Sequence, residues 1–373
     1  MSVASAAAAS PRAAARPIRV MIIDDSAVVR GLFARWMAVE SEFELVGSAP
    51  DGAQGVARIG GLNPDVVVLD IEMPVMGGLE ALPGLLAAKP GVKVVIASTL
   101  SQKGAEITLR ALELGAADYI GKPNSSRLGG ADAYRLELIG KLRALGARAA
   151  GRNAARPARD GASTASGPKG VLRLLPSVLA RPELLAIGAS TGGPQALRDF
   201  FTVLNGAWTS PIVVVQHMPP TFTRLLAQHL DKVSPLAAVE AEHGMPLLPG
   251  RIHLAPGDHH MTVRRDGARL VLALDQSPAV NFCRPAVDPL FLSAAETLGD
   301  KVLAVMLTGM GHDGRDGSRA VTEAGGVVLA QDEESCVVWG MPGAVADAGL
   351  ASLLRPVPGL AQAVRALGKG ERP

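Results

Sequence analysis

One serine sits in a context that can make it a nucleophile. Residues 188–192 read Gly-Ala-Ser-Thr-Gly, a GxSxG pattern between the apolar run ELLAIGAS and the helix-compatible PQALRDFFTVL that Pro194 opens. A sharp turn there exposes Ser190 and points the following backbone amides into the same space. The pattern alone is common: a Gly-rich turn whose Ser or Thr caps the next helix, or an anion cradle, accounts for it equally. The GxxxxGK[ST] sequence of a P-loop is missing, which argues against nucleotide binding. Serine needs a base, and the chain offers His217, His229, His243, His253, His259, His260 and His312. His217 directly follows the strand-like IVVVQ and returns to the sheet edge that carries Ser190. His229 reads as facing outward from a helix, His253 as a strand residue, and His243, His259 and His260 as turn residues; His312, in a polar loop, stays open. A buried carboxylate must hold the histidine in one tautomer. Asp313, in GMGHDG after the strand-like KVLAVMLTG, reaches the same edge, whereas Asp316 reads as capping or orienting the next helix. Thr191, Gly192, Met310 and Gly311 are candidate oxyanion-loop residues, with tight-turn packing as the alternative for each.

A second constellation lies nearer the N-terminus. Asp24 and Asp25 follow the apolar IRVMII, Asp70 closes DVVVLD, Ser98 follows VKVVIA, and Lys122 follows ADYIG. Three carboxylates at converging strand ends attract a hard divalent cation, Mg²⁺ in the first instance, and a lysine with a hydroxyl complements phosphoryl oxygens. Asp70 is the best phosphoryl acceptor once a cation offsets its neighbours. Taken singly, each residue also fits a cap, a turn or a solvated side chain. Ser26, Thr99 and Glu72 are weaker extras that read as caps or surface residues.

These groups need strands to carry them. At about 150 residues per domain, 373 residues make two domains with connecting material. Short apolar runs alternate with helical spacings in both halves, the pattern of parallel sheets covered on both faces. The expected fold is α/β throughout: an N-terminal five-stranded parallel sheet, then a mainly parallel doubly wound C-terminal domain. Within the latter, MTVRR and RLVLAL flank a possible hairpin turn, DGA. Pro83 weakens the helix around GLEALPGLLA unless it lies in the first turn. With aromatics at 3%, the core is mostly Ala, Val, Leu and Ile. Two cysteines exclude a disulfide framework and a Cys-only zinc cluster. A net charge of +2 supports no broad basic face for nucleic acid. No apolar run reaches the ~18 to 20 residues of a membrane span. Residues 1–17 read as a disordered leader, 18–147 as the first domain, 148–182 as a linker made locally basic by Arg152, Arg156, Arg159 and Lys169, and 183–373 as the second domain with its tail.

The segments IDDS, DIEMP and GKP resemble the phosphoacceptor receiver domain of bacterial response regulators; Gly77 departs from the commoner acidic residue after MP. The resemblance assigns Asp24 and Asp25 to the cation, Asp70 to aspartyl phosphate, Ser98 to the switch hydroxyl and Lys122 to the phosphate. The order Ser190, His217, Asp313 differs from that of α/β-hydrolases. Together with AIGASTGGPQAL, QHMPPTFT, VNFCRPAVDPLF, LTGMGHDGRDG and AQDEESCVVWGMP, it resembles the chemotaxis response regulator protein-glutamate methylesterases. That resemblance implies Ser190 as nucleophile, His217 as general base and acid, and Asp313 as its orienter. It further implies hydrolysis of glutamate methyl esters on methyl-accepting chemoreceptors, with glutamine deamidation. It also implies Mg²⁺ for receiver phosphorylation and no cofactor for the ester step, a chemotaxis histidine kinase as phosphodonor, no nucleic acid, a monomer, and a cytoplasmic site of action at receptor arrays. A receiver that obstructs the esterase cleft until phosphorylated belongs to the same implication. The competing readings are a response regulator whose second domain only binds a partner, and a general carboxylesterase.

Overall fold

The computed structural model describes residues 16–99, 101–122, 130–150, 171–175, 181–204 and 208–373. The leader up to residue 15 and most of the linker, with Arg152, Arg156, Arg159 and Lys169, lie outside the described residues.

The N-terminal half alternates strand and helix: β1 (Ile18–Ile23), α1 (Ala27–Val39), β2 (Phe43–Ala49), α2 (Gly52–Leu62), β3 (Val66–Asp70), α3 (Gly78–Ala88), β4 (Lys93–Ser98), α4 (Gln102–Glu113), β5 (Asp118–Gly121) and α5 (Gly130–Gly146). The strands form a parallel sheet in the order β2-β1-β3-β4-β5. Period-two alternation sends Val20, Ile22, Val66 and Val68 to one apolar cluster and Met21, Ile23, Val67 and Leu69 to another, which is why the central strands read as unbroken apolar runs. The order reverses between β1 and β3, and a crevice opens beyond their C-terminal ends. Pro83 lies inside α3, not in its first turn; buried Ala81, Leu82 and Leu85 hold the helix through it. Just ahead of β1, the Arg16 guanidinium donates to both oxygens of Asp65 (2.6 and 2.8 Å) and to the carbonyl of Ala149 (3.0 Å).

The C-terminal half runs β6 (Leu184–Ala189), α6 (Gly193–Leu204), β7 (Ile212–Gln216), α7 (Pro220–Val233), β8 (Ala238–Glu240), β9 (Ile252–Leu254), β10 (His260–Asp266), β11 (Arg269–Asp275), α8 (Val287–Leu298), β12 (Val302–Met306), α9 (Arg315–Glu323), β13 (Val327–Gln331), α10 (Met341–Asp347), β14 (Leu353–Arg355) and α11 (Val357–Gly368). Seven strands make a sheet in the order β14-β13-β12-β6-β7-β9-β8, every pair of them parallel. β10 and β11 form a separate antiparallel hairpin, turning at Gly267-Ala268 with Gly267 at φ +57°. The chain enters this sheet at β6, builds outward on one side, and returns to build on the other, so the crevice lies between β6 and β12. Among the described residues no helix is long and apolar enough to cross a membrane.

The halves share part of their core. The Tyr119 ring of β5 stacks on Phe222 of α7, centroids 4.6 Å apart and planes 9° apart, inside one buried cluster that runs from α3 and α4 into α6 and α7. His229 of α7 therefore faces the N-terminal half, not water, and its Nδ1 lies 2.9 Å from Glu113 Oε1.

Candidate active site

At the first crevice, Asp24 and Asp25 follow β1 and Asp70 ends β3; one oxygen from each lies within 4.8 Å of the others. Lys122, just past β5, sets Nζ 2.7 Å from Asp70 Oδ2 and 3.5 Å from Asp24 Oδ2. Burial raises the Asp70 pKa; Lys122 opposes this, but Asp24 adds to it, and the carboxyl ends above its ordinary range. The donor set fits a hard divalent cation, which would lift that strain among like charges. Ser98 stands on the same edge, its hydroxyl directed to the carbonyls of Thr99 and Gly104, each at 3.2 Å. Ser26 caps α1 through Val29 N, Thr99 pairs with Ser101, and the Glu72 amide leans on Asp70. Gly78 lets α3 start directly against the strand: a Cβ there would lie 2.1 Å from the Asp70 carbonyl oxygen.

At the second crevice, Ser190 leaves β6 in a tight turn. Its amide donates to Thr308 O (3.0 Å), Gly193 N returns to Ser190 O (2.7 Å), and Gly192 takes φ +78°. Buried Gln216 donates from Nε2 to Ser190 O (2.9 Å), and the Thr308 hydroxyl donates to Thr191 O (3.0 Å) while accepting from Val338 N (3.0 Å). The elbow is thus fastened from neighbouring strand ends. β6 and β7 pair with Ala189 opposite Gln216, so Ser190 and His217 emerge side by side. Asp313 comes from the loop after β12 and is 2% exposed. Its Oδ2 lies 2.8 Å from His217 Nε2. No hydrogen bond joins Ser190 to His217 among the described residues; the ring's other nitrogen, Nδ1, lies 3.4 Å from Cys283 Sγ. Such looseness is ordinary for a nucleophile and base without substrate.

Asp313 is held by more than the histidine. Oδ2 also accepts from Val287 N (2.6 Å), and Oδ1 from Asp288 N (3.2 Å) and Asn281 Nδ2 (3.1 Å). α8 has Ala286 at its N-cap, without a side-chain cap, and Asp313 supplies the missing acceptor from another loop. Burial disfavours the Asp313 anion, but His217 and these donors outweigh it and keep the carboxyl below its ordinary range. For His217, burial opposes the cation, while Asp313 and Cys283 favour it, and the pKa rises to about 10. Asp288 accepts from Gly317 N (2.7 Å) and Asn281 Nδ2 (3.1 Å), joining α9 to the same network; burial and the nearby Asp313 and Asp316 raise its pKa.

Asn281, Cys283 and Asp288 escaped the sequence reading, although all three lie in the quoted segment VNFCRPAVDPLF. The signal that could have found them is the helix start itself: Pro-Ala-Val carries no Ser, Thr, Asn or Asp at the cap, so its amides needed a carboxylate from elsewhere. Of the other histidines, His253 lies in β9 and is buried, with Nδ1 3.1 Å from Ile212 O. His243 and His259 sit in turns, and His312 is exposed. His260 corrects its turn assignment: it opens β10, is 1% exposed, accepts from Ala286 N at Nδ1 and faces Pro278 O through Nε2. Those two bonds suit the tautomer with its proton on Nε2. Asp316 is not the cap of α9. Gly314 is, and Asp316 sits in the first turn paired with Arg315 at 3.0 Å.

The N-terminal half reaches this second site. Asp118 Oδ2, at the start of β5, accepts from the Thr191 hydroxyl (2.8 Å) and from Lys141 Nζ (2.6 Å). Burial works against the Lys141 cation, but Asp118 and Glu137 more than offset it and raise its pKa. Met310 lies against α5, its Cε and Sδ 3.6 and 3.8 Å from where a Cβ on Gly140 would stand. Two of the four oxyanion-loop candidates, Thr191 and Met310, therefore touch the other half. Gly192 is walled in by Val337, while Gly311, at φ +86°, has open space around it.

Comparison with known proteins matches both halves of the chain. The family model described as CheB methylesterase matches residues 185–364, and that of the response regulator receiver domain matches residues 20–129. A protein-glutamate methylesterase/protein-glutamine glutaminase of Caulobacter vibrioides is 55% identical, covering 91% of this chain and 96% of that one. A second, from Maricaulis maris, is 50% identical over 89% and 91%. The catalytic domain of Thermotoga maritima CheB methylesterase, a crystal structure, is 42% identical and covers 50% of this chain and all of its own, at a TM-score of 0.49. A relative more than half identical along nearly the whole of both chains, with a family model on each half, places this chain in the CheB methylesterase family, as a receiver joined to a methylesterase domain.

Proposed function

We propose that this protein hydrolyses glutamate γ-methyl esters, and deamidates glutamines, on methyl-accepting chemoreceptors, under control of its own receiver. The observation that carries the reading is the Ser190, His217 and Asp313 set at one sheet edge, with the receiver's Asp118 bonded to the residue after the serine.

The ring acts in its neutral form, a minority below about pH 10: Ser190 Oγ attacks the ester carbonyl carbon and passes its proton to that neutral His217. Nε2 is committed to Asp313, so Nδ1, now beside Cys283, is the atom that takes it. Asp313, solvated by the α8 amides, stays anionic and stabilises the imidazolium. Backbone amides near Thr191, Gly192, Met310 and Gly311 are the candidate oxyanion donors, each worth about 3 kcal/mol in the transition state. As the tetrahedral species collapses, His217 returns the proton to the departing methoxide, giving methanol and an acyl-serine. Water then attacks, His217 again removes a proton, and glutamate is released. With a glutamine the leaving group is ammonia and the second half is the same.

In the receiver, Asp24, Asp25 and Asp70 would hold Mg²⁺, which when bound offsets negative charge around an incoming phosphoryl group. Asp70 accepts the phosphoryl from a chemotaxis histidine kinase, Lys122 contacts it, and Ser98 is the hydroxyl that leaves the Thr99 and Gly104 carbonyls to turn toward it. Undocking then releases Thr191 and Met310 at the mouth of the esterase. The setting is cytoplasmic, at receptor arrays.

The test is methanol release from methylated receptor by the full chain and by Ser190→Ala, each before and after phosphorylation. Release that phosphorylation stimulates, and that Ser190→Ala abolishes, is expected. A folded, phosphorylated wild-type chain that releases no methanol overturns the reading; a Ser190→Ala chain that keeps its biological output points to a second domain that only binds.

A further inference from the structure

The turn that supplies Asn281 and Cys283 also carries a residue that none of the steps above uses. Val280 and Cys283 exchange backbone hydrogen bonds of 3.1 and 2.9 Å, closing a two-residue turn whose tip residues, Asn281 and Phe282, both lie at positive φ, +50° and +64°. The flanking side chains face the triad: Asn281 donates to Asp313 and Cys283 lies against His217. Phe282, between them, does the opposite and is 104% exposed. The other six phenylalanines of the chain, Phe33, Phe43, Phe200, Phe201, Phe222 and Phe291, are all buried. An aromatic residue is rarely left in the left-handed region and rarely left bare, and here it is both.

The turn is rigidly footed. Arg284 donates to Asp258 Oδ1 (2.6 Å) and to the carbonyls of Gln276 (2.9 Å) and Ser277 (3.0 Å), while His260 grips the segment at Pro278 and Ala286. The ring also stays open with the receiver docked, so it is no part of the interdomain contact. Because the neighbours of Phe282 on this turn touch Asp313 and His217, a polypeptide whose side chain reaches His217 extends alongside the tip, whereas a small free ester need not touch it.

We propose that Phe282 is a specificity-determining contact for the protein substrate: its ring packs on apolar side chains beside the modified glutamate of the receptor and selects polypeptide-borne esters. The inference rests on the receptor-esterase reading of the same site. A preset aromatic at an interface carries affinity at small ordering cost.

Steady-state methanol release from a methylated receptor fragment tests it, using the full chain phosphorylated with acetyl phosphate. Phe282→Ala is expected to raise KM about tenfold with kcat within about twofold, and Phe282→Tyr to restore KM. Phe282→Gly separates ring from backbone, because it relaxes the positive φ yet lacks the ring; it is expected to match Phe282→Ala in KM. An unchanged KM in the Ala variant, a Gly variant that behaves as wild type, or a fall in kcat alone overturns the role of the ring while the esterase reading stands. Wild type that releases no methanol removes both.

Discussion

His217 is bound on both sides of its ring, to Asp313 through Nε2 and to Cys283 through Nδ1, and its cation is favoured up to about pH 10 despite burial. Folding therefore gains from the protonated form. That gain is whole below the ordinary histidine value of 6.5 and is lost as pH rises through about 10. Asp313, lowered from 3.8, contributes in the opposite sense: its part is present above 3.8 and is lost as pH falls through its depressed value. The pair is at full strength between those limits. Asp313→Asn removes the anion and leaves only Cys283 favouring the cation against burial, so the histidine pKa is expected to drop from about 10, read by NMR titration of the ring. In the same variant kcat falls by roughly 10⁴, as when the orienting acid of a serine triad is neutralised. A ring that still titrates near 10 without Asp313 contradicts this account of its charge.

The turns between strand and helix set the tolerances of both crevices. Gly78 has no room for a methyl group, whose carbon would fall 2.1 Å from the carbonyl oxygen of Asp70, whereas Gly31 in α1 has nothing within 4 Å. Gly78→Ala is expected to lower the urea unfolding midpoint, costing about 1 to 3 kcal/mol, and to slow phosphorylation of Asp70. Gly31→Ala is expected to stabilise by about 1 kcal/mol through helix propensity. Equal midpoints for the two variants would contradict the packing argument. Legibility follows the same local physics. β1, β3, β4, β6, β7 and β12 are buried on both faces and read as continuous apolar runs. β2 is buried chiefly at its ends, and the edge strands β8 and β14 have three residues each, too few for a period to show. Ser190, His217 and Asp313 gather because each follows the C-terminal end of a strand of one sheet, the first two directly and Asp313 in the loop after β12, a placement that sequence order can express. The bonds of Asn281 to Asp313 and of Thr191 to Asp118 span 32 and 73 residues, and no local pattern encodes them.

At the scale of the whole molecule, receiver and esterase meet through two apolar clusters, one around Tyr119 and Phe222 and one where Val337 and Val338 join the receiver core, and a few polar contacts. Tyr119 and Phe222, 8% and 0% exposed, are the aromatic centre of that junction, and the Asp118 bond to Thr191 is the polar contact nearest Ser190. Two rings of ~150 to 250 Å² each, with the apolar side chains around them, outweigh the Asp118–Thr191 hydrogen bond and the part-exposed Glu113–His229 pair, each with a net worth of about 0.5 to 1.5 kcal/mol or less. The hold of the receiver on the esterase is therefore mainly hydrophobic, and hydrophobic attraction weakens on cooling. The consequence of the shared core is a lock with a thermal coefficient. The ratio of unphosphorylated to phosphorylated activity is expected to climb as the assay is cooled from room temperature toward ice, and a ratio that falls on cooling would mean that polar contacts hold the lock.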